Sequence, residues 1–189
     1  EYGGGMCNVS ASPTLTECTF SSNEASYGGG VCNYSYSDAI VVGCSFTGNE
    51  AERGGAIHNV FYSSATLINC TFSGNQAFSD GGGVYTGTED AGLTVTNCVL
   101  WENSDNGGTD ESAQIHLGTD APSPMVNYSC VQGWTTALGG MGNTGDDPLL
   151  VDADGEDNIA GTLDDDLHLS VGSPCTDTGD NGAVPAFVT

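Results

Sequence analysis

The stretch Gly54-Gly-Ala-Ile-His-Asn59, followed by Leu67-Ile-Asn-Cys-Thr-Phe72, decides the fold because both pieces recur along the chain. The first recurs as Tyr2-Gly-Gly-Gly-Met-Cys-Asn8, Tyr27-Gly-Gly-Gly-Val-Cys-Asn33 and Gly81-Gly-Gly-Val-Tyr-Thr86. The second recurs as Leu15-Thr-Glu-Cys-Thr-Phe20, Val41-Val-Gly-Cys-Ser-Phe46 and Val95-Thr-Asn-Cys-Val-Leu100, and each copy is trailed by Asn23, Asn49, Asn75 or Asn103. The repeat therefore has a period in the middle twenties, which is typical of solenoids.

Short strand-like pieces at this period predict an all-β solenoid, a parallel β-helix of about five coils in which each turn of chain stacks on the next. A leucine-rich horseshoe is the main rival, but the repeats contain no helical segment and lack its leucine pattern. We expect one domain, with coils over residues 1–134. Residues 135–189, which are irregular and rich in Gly and Asp, should form a C-terminal cap.

Alternation within each coil assigns side chains to the two faces of the strands. The inner side of the first strand should carry Met6, Val31, Ile57, Val84 and Ile115. The outer side should carry Cys7, Cys32, His58, Tyr85 and His116. Burial of Leu15, Val41, Leu67 and Val95 together with the repeat cysteines requires a bend, which we predict at Glu17, Gly43, Asn69 and Asn97.

The charge is extreme, because 25 acidic residues stand against a single basic one, Arg53, for a formal net charge of −24. Such a surface repels nucleic acid and anionic membranes. No run of about 20 apolar residues could span a bilayer, so membrane insertion is not expected. The partners that we expect are further copies of the chain and glycans.

Eight cysteines without a zinc-type spacing, together with four N-x-S/T triplets, indicate an extracellular or cell-surface protein with disulfides. In-register stacking of neighbouring coils predicts a Cys7–Cys32 disulfide on the outer face. Cys130 and Cys175 are paired because both lie outside the regular repeat. The inner column could close as neighbouring disulfides or remain a buried row of free thiols; its members are Cys18, Cys44, Cys70 and Cys98.

The four triplets begin at Asn8, Asn33, Asn69 and Asn127, and each is a candidate for N-glycosylation in a glycoprotein. The alternative is chance occurrence in a chain rich in Asn, Ser and Thr. For Asn8 and Asn33 there is a further alternative, an inward asparagine ladder with Asn59.

The segment Asp152-Ala-Asp-Gly-Glu-Asp157-Asn158 predicts a structural calcium site, because closely spaced carboxylates around a glycine can wrap a hard cation. The candidate ligands are Asp152, Asp154, Asp157, Asn158, Asp164, Asp165 and Asp166. The pattern is not an EF-hand, and a merely solvated acidic loop is the alternative.

The Gly-Gly-Ala-Ile segment at 54–57 and the Phe-x-x-Asn segments at 20–23, 46–49 and 72–75 resemble the repeats of the chlamydial polymorphic outer membrane proteins. The resemblance covers roughly residues 2–103. It implies a right-handed β-helix with an adhesive or surface-display role.

We expect a structural protein and not an enzyme, and we assign no catalytic residue. A polysaccharide lyase of this shape needs basic residues, of which only Arg53 is present, and a hydrolase needs a facing pair of carboxylates that the repeats do not supply. Polysaccharide cleavage is kept as the second alternative. Contact of sugar rings with the outward row of His58 and Tyr85 is a further hypothesis.

The chain begins at Glu1 directly before a Gly-rich strand, so the first coil should expose unpaired backbone groups. If Glu1 is the natural start, that coil could stack on the opposite end of another copy and propagate a filament. An extracellular fibre subunit is therefore the first functional hypothesis. An adhesin fragment that binds glycan or protein is the alternative.

Overall fold

The computed structural model describes residues 1–87 and 90–186, and the chain winds into stacked coils of short strands. The first two coils contain β1 (Met6–Val9), β2 (Thr14–Thr16), β3 (Thr19–Ser21), β4 (Glu24–Tyr27), β5 (Val31–Tyr34), β6 (Asp38–Val42), β7 (Ser45–Thr47) and β8 (Glu50–Arg53). The next two contain β9 (Ile57–Val60), β10 (Ser64–Ile68), β11 (Thr71–Ser73), β12 (Gln76–Asp80), β13 (Val84–Thr86), β14 (Leu93–Thr96) and β15 (Val99–Trp101). A partial fifth coil contains α1 (Glu111–Gln114), β16 (Ile115–Leu117), β17 (Met125–Asn127) and β18 (Cys130–Val131).

Equivalent strands of successive coils pair in parallel and form four sheets along the solenoid. Sheet 1 has the order β1-β5-β9-β13-β16, sheet 2 β2-β6-β10-β14-β17, sheet 3 β3-β7-β11-β15-β18 and sheet 4 β4-β8-β12. The pairing is in register, so that Val31 lies opposite Ile57 and Phe46 opposite Phe72. The predicted all-β parallel solenoid is confirmed, with about four full turns and a partial fifth where the repeats predicted about five coils.

The predicted inner residues form the apolar core. Val31, Ile57, Val84 and Ile115 are buried, and Met6 in the first coil is partly buried. The rings of Phe20, Phe46 and Phe72 stack inside at centroid distances of 4.9 and 4.8 Å. The four predicted bends are also confirmed, because Glu17, Gly43, Asn69 and Asn97 all have positive φ, at 52°, 62°, 54° and 56°.

The second glycine of each Gly-rich cluster lies against the next coil. A Cβ at Gly4, Gly29, Gly55 or Gly82 would be 2.3 to 2.5 Å from a carbonyl oxygen of the neighbouring coil. No side chain fits at this distance, so glycine is required at this position in all four coils.

Polar side chains inside the solenoid bond from one coil to the next. The amide of Asn8 donates to Asn33 at 2.8 Å, and that of Asn33 donates to Asn59 at 2.7 Å. Asn23, Asn49, Asn75 and Asn103 form a second ladder, which ends on Gln114. These bonds satisfy polar groups that the stacked bends would otherwise bury without partners.

The C-terminal part differs from the predicted end cap. Residues 134–145 close the last coil, where Thr144 bridges to Cys130 and the backbone of Tyr128 bonds to Met141. Residues 146–186, here called the return segment, then run back along sheet 3 as far as the first coil, where Ser22 Oγ donates to the carbonyl oxygen of Gly161 at 2.9 Å. The return segment contains β19 (Leu150–Asp152), which pairs antiparallel with β20 (Asp166–Leu169), and a 3₁₀ helix, Asn181–Ala183.

The predicted cap is therefore an end cap only over its first part. The rest covers the outer face of sheet 3, because that face offers hydrogen-bonding groups such as Ser22 and Asn97. Residues 187–189 of the predicted cap lie outside the described residues.

Candidate functional site

A row of aromatic rings runs along the outer face of sheet 1. In-register pairing of β9, β13 and β16 places His58, Tyr85 and His116 in line on successive coils. Tyr27 and Tyr2 continue the row toward the first coil. Neighbouring centroids are separated by 5.1 to 5.4 Å. Because the rings stack on one another, the row presents ring edges to solvent along most of its length.

The predicted position of these residues on the outer side of sheet 1 is confirmed. The residues in the middle of the row are nevertheless not exposed to solvent. Cys32, His58 and Tyr85 lie on the outer side of sheet 1, yet all three are buried. Neighbouring rings cover them, since the Tyr27 ring centroid is 5.2 Å from that of His58. His58 therefore lies on the outer side of the sheet, as predicted, but is shielded from solvent.

A second group of rings occupies the turn that follows sheet 1. Tyr34 lies 5.3 Å from Tyr2 and 4.9 Å from Phe61, and Tyr36 stacks on Tyr62 at 5.0 Å, all between centroids. Positive φ angles of 56° to 61° at this turn direct Phe61 and Tyr62 outward. Sequence reasoning missed this group, although Tyr34-Ser-Tyr36 and Val60-Phe-Tyr62 recur one coil apart.

Between the two groups of rings lies a groove of about 260 Å³, here called the aromatic groove. Its lining residues are Tyr2, Tyr27, Arg53, His58, Val60, Phe61, Tyr85 and Gly87. A Cβ at Gly87 would be 2.6 Å from Val60 Cγ1, so the absence of a side chain there keeps this part of the groove open. Concave sites lined by aromatic side chains with a few polar groups are the usual form of ligand sites.

The single basic residue of the chain lies at this groove. Arg53 Nε is 3.2 Å from Asp80 Oδ2, and the guanidinium carbon is 5.5 Å from the centre of the Tyr85 ring. His116 Nε2 is 3.8 Å from the other oxygen of Asp80. The carboxylate and the ring hold the guanidinium in place, and its side chain is 44% exposed. The groove therefore offers a fixed hydrogen-bond donor that can face a ligand.

Burial, together with the smaller effect of the nearby positive charge of Arg53, lowers the pKa of His58 to about 4. The imidazole is consequently neutral at physiological pH. The groove thus combines phenol hydroxyls, apolar ring edges, a neutral imidazole and one ion pair. This set of groups can hydrogen-bond and pack against an uncharged polar ligand.

The inner cysteine column is a ladder of free thiols. Cys18, Cys44, Cys70 and Cys98 lie at the predicted positions, and all eight cysteines of the chain are free. The backbone N–H of Cys18 donates to Cys44 Sγ at 3.3 Å, and that of Cys70 to Cys98 Sγ at 3.4 Å. Ser129 Oγ extends the pattern by accepting from the N–H of Cys98. Of the two alternatives for this column, the structure shows the row of thiols.

The two other predicted cysteine pairs are neighbours. Cys7 and Cys32 lie opposite one another in register on β1 and β5. The thiol of Cys130 contacts that of Cys175, which lies 45 residues later in the return segment. Both pairs remain candidates for disulfides.

The acidic loop brings together only part of the predicted calcium ligands. Asp157, Asp164 and Asp165 converge on the hydroxyl of Thr162, which is 3.4, 2.5 and 3.4 Å from their carboxylate oxygens. Asp166 instead bonds to His168. Asp152 lies on β19, and Asp154 and Asn158 lie in the turn that follows it. Over residues 1–87 and 90–186 no group of three or more His, Cys, Asp and Glu side chains is arranged to hold a metal ion, and calcium binding stays a prediction.

Two of the four glycosylation candidates are buried in the inner ladder. Asn8 and Asn33 donate their side-chain amides to Asn33 and Asn59, so neither nitrogen is free to carry a glycan in this fold. Asn69 is exposed on its bend, and Asn127 is half-buried and accepts a hydrogen bond from the backbone of Met141. Glycosylation at these two stays a prediction.

In the part of the chain that the structure describes, no helix has the length and apolar character needed to cross a lipid bilayer. No curated protein and no solved structure matches the sequence. A protein-family comparison matches residues 2–119 to the right-handed β-helix region. The resemblance to the chlamydial repeats is finer than this match and remains a resemblance. The match covers more than half of the chain, and the coils of parallel strands agree with it, so the protein belongs to the right-handed β-helix family.

Proposed function

We propose that this protein is an extracellular surface domain of the adhesin type that binds a neutral oligosaccharide in the aromatic groove. The fold is compatible with both adhesive and structural surface roles. The observation that carries the proposal is the groove itself, which gathers four aromatic rings, His58 and the only basic side chain of the chain.

The strongly negative charge of the chain favours neutral glycans over anionic ones. With 25 acidic residues against one basic residue, long-range repulsion disfavours uronate-rich or sulfated polymers. Arg53 is already paired with Asp80, so the groove has no unpaired cation to compensate an anionic ligand. A neutral sugar avoids this repulsion, and its hydroxyls can bond to Arg53 and Asp80.

The apolar side of the groove supplies packing. Phe61 is 42% exposed and lines the groove opposite the ring row. Its exposed face can cover the apolar C–H surface of a sugar ring, while the stacked rings of Tyr27 and Tyr85 present edges and hydroxyls. Aromatic residues combine large contact area with a polar end in this way at many binding surfaces.

The test is a binding screen of the whole chain against neutral and uronic-acid oligosaccharides by calorimetry. We expect binding of at least one neutral oligosaccharide and weaker binding of its uronic-acid counterpart. Phe61→Asn tolerates the positive φ at this position and should weaken binding about tenfold, a loss of about 1.4 kcal/mol. Arg53→Gln should weaken binding similarly.

Phe78→Ala is the matched control, because Phe78 is 55% exposed on β12 of sheet 4 and does not line the groove. Equal loss in the Phe61 and Phe78 variants, or absence of binding to every neutral oligosaccharide, would contradict the proposal. Analysis of the same incubations for shortened sugars tests the polysaccharide-cleaving alternative.

End-to-end stacking of separate chains is the second candidate for what covers the first coil, and a preceding coil of the same polypeptide is the other. Met6, Leu15, Cys18 and Phe20 are only partly buried there. The backbone N–H groups of Cys18 and Asn23 donate to side chains of the following coil, so the side chains of these two residues could accept in the same way from a preceding coil. At the other end the ladders finish on Asn143 and Gln114.

A head-to-tail filament would therefore require residues 134–145 to leave the last coil. Electron microscopy of the purified chain tests this candidate. Fibres that disappear when Leu15 is replaced by Lys would support it, whereas single short rods at every concentration would contradict it.

A further inference from the structure

The return segment is held on sheet 3 by contacts that are few but specific. Ala160 packs over Gly48 and Gly74, where a Cβ would be 2.0 Å from Ala160 O and 2.5 Å from Ala160 Cβ, respectively. Asn97 exchanges two hydrogen bonds with the backbone of Asp180. Cavities between the segment and the sheet remain on both sides of these contacts. An additional covalent link between the return segment and the solenoid would therefore stabilise this arrangement.

Cys175 of this segment meets Cys130 of the solenoid. Cys130 is buried on β18 and its thiol bonds to the carbonyl oxygen of Asp146 at 3.1 Å. Cys175 is held by its own N–H, which donates to Ser173 Oγ at 3.1 Å, and that hydroxyl donates to Pro148 O at 2.6 Å. Both cysteines line a cavity of about 220 Å³, and Cys175 is partly exposed. A small oxidant can therefore reach the pair.

The acidity of the two thiols differs in a way that suits exchange. The contact with the Cys130 thiol lowers the pKa of Cys175 to about 7, and the same contact raises the pKa of Cys130. Cys175 is thus the more acidic of the two thiols, and the thiolate is the nucleophile in disulfide exchange. In the inner ladder, burial raises the pKa of Cys44 to about 11. The Cys44 thiol is correspondingly less reactive than that of Cys175.

We propose that Cys130 and Cys175 form a disulfide that fastens the return segment to sheet 3. With a small-molecule disulfide as oxidant, the Cys175 thiolate attacks one sulfur, and the other leaves as a thiolate. Cys130 then loses its proton and attacks the Cys175 sulfur of the mixed disulfide, which releases the second small thiol. Two protein thiols are oxidised and one small disulfide is reduced to two thiols.

The link is independent of ligand binding at the aromatic groove, since none of the groove residues belongs to the return segment. It also differs from the other predicted pair. Cys32 is fully buried and burial raises its pKa to about 12, so Cys7–Cys32 should oxidise more slowly than Cys130–Cys175.

The experiment uses the whole folded chain with glutathione disulfide at neutral pH. Free thiols are alkylated under denaturing conditions, and the unreduced protein is digested and mapped by mass spectrometry. We expect the cross-linked peptides of Cys130 and Cys175 to appear first, with the four ladder cysteines alkylated. Cys7→Ser should leave this cross-link unchanged, and Cys175→Ser should abolish it.

Proteolysis of the wild-type chain provides a readout that needs no variant. A protease that cuts beside acidic residues should cleave the return segment about tenfold faster after reduction than after oxidation. The proposal is overturned if both thiols stay alkylatable after oxidation, if Cys175 links to another cysteine, or if reduction leaves the cleavage rate unchanged.

Discussion

The backbone N–H of Asn49 donates a hydrogen bond of 3.1 Å to the side-chain Oδ1 of Asn75, a residue one coil further along the solenoid. The same bond joins Asn23 to Asn49 and Asn75 to Asn103. The Asn75 amide also donates to the carbonyl oxygen of Phe46, the residue that begins the preceding Phe-x-x-Asn segment. The three-residue spacing of the motif thus allows one asparagine side chain to bond to two backbone groups of the preceding coil, the N–H of its Asn and the carbonyl oxygen of its Phe.

Replacing Asn75 with Ala should destabilise the protein by about 2–5 kcal/mol, because it leaves several buried polar groups without partners. Asn75 is fully buried in the core of the ladder. The measurement is the free energy of unfolding in urea. Asn106→Ala is the control, since Asn106 is exposed, and it should change stability by less than about 0.5 kcal/mol. Equal effects in the two variants would show that the ladder contributes little.

Replacing Gly55 with Ala should be among the most damaging single changes, since the new Cβ would be 2.4 Å from the carbonyl oxygen of Gly82. We expect a loss of at least about 3 kcal/mol. Gly43→Ala separates backbone strain from steric clash. Gly43 has a φ of 62°, but a Cβ there would contact only Glu17 Cγ, at an ordinary distance of 3.7 Å. It should cost about 1–2 kcal/mol. A ranking in the opposite order in thermal unfolding would contradict this account.

His58 should make the fold sensitive to acid. Its pKa in the folded chain is about 4, below the ordinary value of 6.5, so acid protonates it in the unfolded chain first. Neutral His58 contributes to the free energy of unfolding in full above pH 6.5. This contribution, about 3 kcal/mol, is lost as the pH falls toward 4. The measurement is urea unfolding at pH 7 and pH 4.5.

His58→Phe keeps a ring in the row and removes this titration, so its stability should fall less between the two pH values than that of the wild type. The control is His168→Phe, in which the replaced side chain is 89% exposed. If the wild type and His58→Phe lose the same amount of stability, carboxylate titration explains the whole pH dependence.

Calcium should stabilise the return segment if the acidic loop binds it. Asp157, Asp164 and Asp165 already approach one another around Thr162, and hydrogen bonding lowers the pKa of Asp164, which keeps it ionised. At a hundredfold excess over the dissociation constant, calcium would add about 2.7 kcal/mol. Asp164→Asn should remove the shift in melting temperature, and Asp177→Asn should retain it. An identical melt with calcium and with chelator would leave the loop as a solvated acidic turn.

The repeats by themselves determined the architecture. The near-constant cysteine spacing, the Gly-Gly clusters and the alternation around Val31 and Ile57 each specify a local geometry that must recur every coil, so in-register stacking follows from the sequence. Even the bends at Glu17 and Asn97, where φ is positive, could be placed, because Leu15 and Val95 can reach the core together with the following cysteine only if the chain bends between them.

The aromatic groove and the return segment were decided by the tertiary structure. Phe61, Tyr2 and Arg53 belong to three different places in the coil, and only the winding of the chain brings them to one groove. Likewise, nothing local in residues 146–186 directs them along sheet 3, since their contacts with Ser22, Gly48 and Asn97 join residues about a hundred positions apart. A repeat encodes its own stacking, whereas contacts between unlike segments depend on where the whole solenoid places their surfaces.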